Sequence, residues 1–432
     1  MTEEQRIQKN FAIKMAGYET RLKRRDQVCR VFTCKVQMNA LSNKQIEQLK
    51  MLFVEAKWLY NDILNWSNEK EENAPWNYVI GKTVKHKDKD GNVIETKFQF
   101  IHSQMKQEVQ KQICTNIKTL SIHKKKGDKI GRLKYISEYK SIHVSQFSKN
   151  NFIKGKYINI PKISRLVRIN GLDQFINIKG LEIACFDIIN KAGDYYICFC
   201  TYTDNKQIKK KEHNNKTIGI DFGCSTSFTT NEGTKYDVKI KESDRLKHLM
   251  QRLSHMQGYK KGEKKSNNFK RIEALIQKEY NHISNIKNDK ANKLVSELCD
   301  NKVVVIQDEQ LIKWQVTNSK SVQYSILGRV KARLLKQPNV VVINKWAPTT
   351  KLCTCCGCTY DMSVRKRTFE CSKCGIIEDR DIHAAQNMIW MYNNKVGVGR
   401  TELTHVELMK QIEQAIVVDE SLTQKHEDTT IL

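Results

Sequence analysis

The sequence lacks an apolar segment long enough to span a membrane, and it has no lipid-anchor pattern. Its first residues, Met1 to Arg6, are polar and do not form an apolar secretory signal. Acidic residues are few relative to basic ones, with 47 Asp and Glu against 75 Lys and Arg. These shortages argue against a membrane protein and against a secreted one.

The formal net charge of +28 is too large to be incidental for an enzyme that acts on a neutral substrate. It favours a polyanionic partner, because basic side chains that neutralise phosphates release condensed counterions. A very soluble protein with a solvated basic surface is the alternative. The chain has 432 residues and is 39% apolar, which is sufficient for two or three domains with proper cores.

Six of the 14 cysteines lie within one short window of the sequence. Because no secretory signal is present, we expect a reducing compartment, in which clustered thiols indicate metal ligands rather than disulfides. Scattered thiols, such as Cys29 and Cys299, are typical of small buried hydrophobes. The clustered six are Cys353, Cys355, Cys356, Cys358, Cys371 and Cys374.

Two C-x-x-C-G motifs, Cys353 to Gly357 and Cys371 to Gly375, predict a structural zinc site. Each motif turns two sulfurs toward one point, and two motifs separated by a hairpin-sized interval can complete a tetrahedron. The predicted Zn²⁺ ligands are Cys353, Cys356, Cys371 and Cys374.

Cys355 and Cys358 form a further C-x-x-C that overlaps the first motif, so the choice of four thiols among six stays open. We prefer the set above because Cys356-Gly357 mirrors Cys374-Gly375. Glycine accepts the positive φ that such a turn needs after its second ligand.

Three acidic residues stand at the ends of predicted elements on either side of these motifs. Asp221 ends the strand-like run 217–221, Glu309 follows the run 303–307, and Asp381 precedes a helix-forming run. Together they could hold two Mg²⁺ ions that bind the attacking water and the leaving oxygen of a phosphodiester. Taken singly, each has an ordinary alternative as a helix cap, a turn residue or a solvated edge residue. Their joint order in a basic chain favours nucleic-acid cleavage.

The N-terminal half is predicted to be a small β-barrel with a helical lobe inserted after its first strand. The lobe begins at a capping box, Ser42-x-x-Gln45, and keeps helical apolar spacing from there. The predicted segments are a basic N-terminal arm at 1–27, barrel strands at 28–42, the helical lobe at 43–122, further barrel strands at 123–205 and a charged linker at 206–216.

The C-terminal half is predicted to be an α/β sheet with crossovers, because its strand-like runs are almost wholly apolar. A helix over 321–336 should connect two of these strands, and two further helices should pair across the loop 258–268. The last segment, 401–432, has seven acidic residues against two lysines and is predicted to be a mostly disordered acidic tail. Shielding of the basic surface by this tail is the minority alternative.

The order of these motifs resembles the RuvC nuclease half of transposon-encoded TnpB proteins and of the miniature type V-F CRISPR effectors that look descended from them. The resemblance rests on Ile-Gly-Ile-Asp221, Glu309-Gln310-Leu311, the two C-x-x-C-G motifs and Asp379-Arg380-Asp381 with Ala384-Ala385 and Asn387. It covers about residues 217–395. The N-terminal half agrees with the family only in its layout.

The resemblance implies an α/β RNase H-like (RuvC) nuclease domain over 217–346 and 379–400, with a zinc ribbon inserted at 347–378. It also implies that the N-terminal half is a β-barrel (wedge) domain that carries an inserted α-helical recognition lobe. The implied catalytic residues, which would also bind Mg²⁺, are Asp221, Glu309 and Asp381.

The resemblance further implies an RNA-guided DNA endonuclease that recognises a short T-rich duplex motif and cuts at a single RuvC site. Base pairing with the guide would supply sequence specificity, while the protein reads the motif and the backbone shape. The implied partners are a guide RNA and target DNA, both duplex and single-stranded, with no membrane. Two copies of the chain on one guide RNA and a prokaryotic cytoplasmic location, nucleoid-associated when DNA is bound, are also implied.

Several alternatives stay open at this level. The chain could be of the transposon type or the CRISPR type, or a guided DNA-binding repressor that has lost cleavage, or a zinc-ribbon regulator without RNA.

Asp308 adjoins Glu309, and we prefer Glu309 because it matches the family pattern. Many relatives in the resembled family have Asn at the position of His383. This side chain could contact a phosphate, bind a metal weakly or pack beside Ala384, and packing is favoured. The basic residues 365–367, in the interval between the cysteine pairs, are predicted to touch nucleic acid.

Overall fold

The protein is described here by a computed structural model. It describes residues 2–70, 72–88, 90–147, 152–204, 216–256, 265–300, 302–363, 366–399 and 407–416. The chain divides into two compact units, Met1–Lys209 and Lys210–Leu432. The predicted linker at 206–216 lies outside the described residues except for Lys216. Among the helices of the described ranges, none combines the length and the apolar character that a membrane span requires.

The predicted N-terminal arm is a helix, α1 (Glu3–Arg25), which begins with a capping box at Thr2. None of its residues is buried, and this absence of a buried face explains why apolar periodicity did not predict a helix. Its last turn is anchored, because Lys23 Nζ and Arg24 Nη2 bind the Glu182 carboxylate at 3.0 and 2.9 Å.

The helical lobe contains α2 (Asn43–Glu69) and α3 (Ser103–Lys125). The predicted capping box at Ser42 is confirmed. Between the two helices lies a hairpin of β2 (Thr83–Lys87) and β3 (Val93–Lys97), which the sequence patterns did not predict. Most residues of this hairpin are exposed, so its strands do not alternate apolar and polar residues. Only the turn between them is visible in the sequence.

A seven-stranded sheet forms the rest of the first unit, with the order β4-β8-β9-β1-β7-β6-β5. The first strand pairs antiparallel with β9 and β7, so α2 and α3 lie in the chain between strands of one sheet, and the barrel with an inserted lobe stays a prediction. Its core is shared with α2 and α3. The strands are β1 (Gln27–Val36), β4 (Ser141–Val144), β5 (Ile153–Lys154), β6 (Tyr157–Ile158), β7 (Val167–Asn170), β8 (Glu182–Lys191) and β9 (Asp194–Asp204).

The second unit is built on a five-stranded sheet with the order β12-β11-β10-β13-β14. β10 pairs parallel with β13, and β13 pairs parallel with β14, which confirms the predicted α/β sheet. The strands are β10 (Thr217–Phe222), β11 (Phe228–Thr230), β12 (Lys235–Tyr236), β13 (Val303–Gln307) and β14 (Val340–Ile343).

The connection from β10 to β13 contains two paired helices, α4 (Asp244–Ser254) and α5 (Asn267–Leu298). Buried leucine and isoleucine side chains from both helices form their shared cluster, so the predicted pairing is confirmed. Residues 257–264 of the predicted loop lie outside the described residues.

The single helix predicted over 321–336 is wrong. The connection from β13 to β14 contains α6 (Leu311–Thr317), α7 (Ser319–Tyr324) and α8 (Leu327–Leu334). Ser325 interrupts the helical path because its backbone is extended and forms a bridge with Lys239. Long-range backbone pairing therefore overrides a continuous helical periodicity.

After β14 the second unit continues with a hairpin of β15 (Thr368–Glu370) and β16 (Ile377–Asp379). Helix α9 (Arg380–Asn393) follows this hairpin directly. The prediction of a mostly disordered tail is wrong for residues 407–416, which form a helix, α10. Leu408 and Ile412 of α10 are fully buried in the core beside α9. The rest of the predicted tail, 401–406 and 417–432, lies outside the described residues.

Helix α9 crosses the sheet at Gly219 of β10. A Cβ atom at this position would lie 2.1 Å from the backbone oxygen of Ala385 and 3.2 Å from Cγ1 of Ile389. Such distances are impossible without movement of the helix backbone, so only glycine permits this close approach.

Replacing Gly219 by Ala should destabilise the protein by about 1–3 kcal/mol, because the added methyl group displaces α9 from the sheet. Gly328→Ala is the matched control, since nothing lies within 4 Å of the added Cβ and its helix α8 tolerates alanine. Urea unfolding of both variants measures the difference. Equal unfolding midpoints would contradict the close-packing account.

Candidate metal centres

Four cysteine thiols converge at the turn that connects β15 and β16. Their sulfur atoms all lie within 4.8 Å of one another, and two pairs, Cys353 with Cys374 and Cys356 with Cys371, are 3.5 Å apart. Tetrahedral zinc with bonds of about 2.3 Å to sulfur requires sulfurs about 3.8 Å apart. The donor set and its spacing therefore fit a zinc ion, although zinc binding itself stays a prediction.

The two C-x-x-C-G turns have the same backbone geometry. Gly357 N donates to Cys353 O at 2.8 Å, and Gly375 N donates to Cys371 O at 2.9 Å. Both glycines have positive φ, 71° and 74°, as the sequence comparison of the two turns predicted. Burial opposes ionisation of the Cys371 thiol, but hydrogen bonds from Tyr360 and neighbouring groups lower its pKa to about 5. The hydrogen bond to Cys371 in turn raises the pKa of the Cys374 thiol, and burial raises that of Cys353, so these thiols would release their protons when a zinc ion binds.

The overlapping motif is not part of this cluster within the described residues. Cys355 is exposed, and the Cys358 thiol, although it contacts the Cys356 thiol, is not one of the four whose sulfurs all lie within 4.8 Å of one another. The geometry thus favours the four thiols that the mirrored glycines indicated.

A second centre lies where β10, β13 and α9 meet. Asp221 is the penultimate residue of β10, Glu309 follows β13, and Asp381 lies in the first turn of α9. Burial raises the pKa of the Asp221 carboxyl well above its usual range, and the negative charges of Asp381 and Glu309 raise it further. Arg380 partly offsets this effect. The fold therefore brings together three acids that are far apart in sequence.

The first turn of α9 is held firmly. The N-cap Asp379 accepts hydrogen bonds from Asp381 N and Ile382 N, and its second oxygen binds Lys235 Nζ at 2.7 Å. Because Ala385 lies one turn after Asp381, the contact at Gly219 fixes Asp381 opposite the end of β10. Carboxylate oxygens at this point are the donors that Mg²⁺ prefers, and a bound cation would relieve their mutual repulsion.

Lys331 distinguishes Asp308 from Glu309. Its Nζ donates hydrogen bonds to Asp308 Oδ1 at 2.8 Å and to the backbone oxygen of Glu309. Burial raises the pKa of Glu309, Lys331 lowers it, and Asp308 raises it. Asp308 is ion-paired, whereas the Glu309 carboxylate acts on Asp221. This supports the preference for Glu309.

Two arginines, to which sequence reasoning assigned no role at this site, lie beside Asp381. Arg380 Nη2 lies 3.0 Å from Asp381 Oδ1, and Arg367 Nη1 lies 3.8 Å from Oδ2. Arg380 was visible only as the middle of Asp379-Arg380-Asp381. Of the basic segment predicted to touch nucleic acid, Arg365 lies outside the described residues, and that contact stays a prediction.

His383 connects α9 to the cysteine-bearing segment. Its Nδ1 lies 2.5 Å from Glu378 Oε1, its Nε2 lies 2.7 Å from Leu352 O, and its ring stacks on Phe369 with centroids 3.7 Å apart. The residue is 3% exposed, so the favoured packing role is confirmed.

Asn387, one turn further along α9, donates to the backbone oxygens of Thr349 and Leu352, both at 2.7 Å. The segment that leads into the first C-x-x-C turn is therefore held on α9 by buried hydrogen bonds. Because α9 also carries Asp381, the thiol cluster and the acid cluster share one rigid support.

Two family models match parts of the chain. One, described as the Cas12f1-like TNB domain, matches residues 330–388 and spans the four thiols and Asp381. The other, described as "Probable transposase", matches residues 199–311 and spans Asp221 and Glu309. The resemblance to TnpB-like miniature effectors is confirmed.

A curated relative of this TnpB-like chain comes from Streptomyces pristinaespiralis, and its name describes an RNA-guided DNA endonuclease. The two are 27% identical over 185 residues, which is 40% of this chain. The chain spans 44% of the length of that relative. A solved structure titled as the mini-RNA-guided endonuclease CRISPR-Cas phi3 aligns with 84% of this chain and 92% of its own, at 8% identity and a TM-score of 0.36. That TM-score is too low to bear on the fold.

Replacing Cys371 by Ser in this TnpB-like chain should reduce its zinc content from about one ion per chain, because serine is not among the usual zinc donors. Cys355→Ser is the matched control, since that thiol is exposed and outside the cluster. Elemental analysis of the purified variants gives the answer. Zinc loss in both variants, or in neither, would contradict the assignment.

Asp221→Asn should raise the melting temperature in EDTA near neutral pH. A carboxyl whose pKa is raised on folding binds its proton more tightly in the folded state, so stability falls as pH rises from the unfolded pKa toward the folded one. Magnesium should stabilise the wild type and have a much smaller effect on the variant. Thermal unfolding with EDTA or Mg²⁺ tests this, and an equal magnesium shift in both proteins would remove Asp221 from the metal site.

Proposed function

We propose that this chain is an RNA-guided DNA endonuclease whose second unit is an RNase H-like (RuvC) nuclease. One observation carries the proposal: β13 pairs parallel with β10 and α9 packs on Gly219, so that Asp221, Glu309 and Asp381 meet at one edge of the sheet although they come from distant segments. The name of the curated relative supports the guided activity, and the two family models span all three acids.

Asp221, Glu309 and Asp381 are the proposed ligands of two Mg²⁺ ions. Magnesium bound there supplies the positive charge that activates a water and stabilises the leaving oxygen of a phosphodiester. Lys331 donates a hydrogen bond to the backbone oxygen of Glu309 and so holds this residue just beyond the end of β13. Arg380 and Arg367 contribute positive charge beside Asp381, where a scissile phosphate would enter.

The zinc proposed at Cys353, Cys356, Cys371 and Cys374 is structural. It closes the ribbon from which β16 leads directly into α9, so its role is to hold the helix that carries Asp381. Contact of the ribbon with target nucleic acid is part of the same proposal.

The domain assignment extends the same proposal to the whole chain. The first unit serves as a wedge barrel with an inserted recognition lobe, and it reads a short T-rich duplex motif. The proposed segments are the arm at 1–27, the wedge at 28–42 and 123–205, the recognition lobe at 43–122, the linker at 206–216, the nuclease at 217–346 and 379–400, the ribbon at 347–378 and the tail at 401–432.

The proposed partners are a guide RNA and target DNA, which opens from duplex to single strands. A net charge of +28 is suited to a long RNA and its heteroduplex, because base pairing then supplies specificity while the protein binds the backbone. Two chains on one guide RNA and a prokaryotic cytoplasmic location, at the nucleoid when DNA is bound, complete the proposal. Sequencing of the copurified RNA separates a CRISPR effector, with repeat-derived guides, from a transposon protein, with element-end transcripts.

Asp221→Ala should reduce cleavage of a guided plasmid target in Mg²⁺ by more than about 100-fold, beyond the usual effect of changes outside the ligand shell. Guided binding should persist, because the backbone interface is large and does not depend on one ligand. Asp308→Asn is the matched control and should still cut, since Asp308 pairs with Lys331. Guided binding by the wild type without any cutting would indicate a repressor instead.

A further inference from the structure

The turn Asn344–Ala347 lies at the same edge of the sheet as the acid cluster. β10, β13 and β14 are parallel, so their carboxyl ends meet at one edge. Asp221 and Glu309 stand at the ends of the first two strands, and this turn follows the third. The hydrogen bond from Asp308 N to Ile343 O, 3.0 Å long, joins the ends of β13 and β14 there.

A buried amide holds this turn rigid. Gln307 Nε2, at the end of β13, donates to the backbone oxygens of Ala347, Asn344 and Lys345 at 2.8, 3.2 and 3.3 Å. Trp346 N donates to Asn344 Oδ1 at 2.9 Å. Gln307, Asn344 and Ala347 are each at most 6% exposed.

Trp346 is 54% exposed, although Asn344 and Ala347 of the same turn are buried. Lys345 Nζ lies 5.3 Å from the centroid of its ring. Trp314 and Trp390, in the same unit, pack against the hydrophobic cores instead. A large exposed aromatic ring carried by a rigid turn is arranged for stacking on a flat ligand.

The indole of Trp346 and the charge of Lys345 together suit a single-stranded nucleic acid. The face of an indole accepts an unpaired base of any sequence, whereas bases within a duplex already stack on each other. Lys345 adds a positive charge for the neighbouring phosphate. Building on the proposed nuclease function, we propose that Trp346 stacks on an unpaired base of the DNA strand to be cut and so holds its backbone at the acid cluster.

The inference is tested with single-stranded DNA that carries 2-aminopurine, a base whose fluorescence is quenched by stacking. The full-length Asp221→Ala protein, with and without guide RNA, is titrated with such strands. Quenching and tight binding are expected. Trp346→Ala should lose the quenching and weaken binding about 5- to 100-fold, the range for one base stacked on an aromatic side chain. Trp346→Phe should restore most of both, and Trp390→Phe is the matched control that should change neither.

The outcomes separate this inference from the proposed function. If the chain with wild-type Asp221 cuts guided DNA but Trp346→Ala leaves quenching and affinity unchanged, the stacking role is wrong and the nuclease stands. If quenching depends on Trp346 but no cutting occurs under any guided condition, the nuclease is wrong and the stacking site stands. Equal quenching by 2-aminopurine placed in the guide RNA alone would overturn the assignment to the DNA strand.

Discussion

The close approach of helix α9 to strand β10 is the contact on which the candidate nuclease site depends. At Gly219 the strand has no side chain, and the backbone of Ala385 occupies the space that a Cβ would fill. Asp221 lies two residues along the same face of the strand, and Asp381 lies one turn back along the helix. The contact that excludes a methyl group therefore also sets the two carboxylates against each other, where burial and mutual repulsion raise the pKa of Asp221.

Crowded carboxylates oppose folding, so other interactions must hold α9 in place. Its apolar face is buried beside the sheet, with Met388 and Met391 at most 1% exposed, and α10 adds Leu408 and Ile412 to that core. Hydrogen bonds of His383 and Asn387 to the backbone of the cysteine-bearing segment also hold α9 in place. A structural metal in the thiol cluster and a cation among the acids would thus act on one helix from two sides.

Local patterns predicted the elements whose causes are local. The capping box at Ser42 and the positive φ of Gly357 and Gly375 follow from the chemistry of a few neighbouring residues, and the sequence shows them directly. The spacing of the cysteines predicted the four thiols that converge, while the metal site at Asp221, Glu309 and Asp381 stays a prediction. The helix predicted over 321–336 failed because Ser325 pairs with Lys239, and α10 was missed because an acidic composition hides two buried side chains.

By itself, the sequence determined which residues could ionise, bind a metal or carry charge, because those properties belong to side chains wherever they stand. It also determined the order in which they occur, which is enough to indicate a family. Only the tertiary structure decided which of Asp308 and Glu309 pairs with Lys331, which four thiols meet, and that Arg380 stands beside Asp381. These outcomes depend on the packing of segments that are distant in sequence, and no local periodicity records that packing.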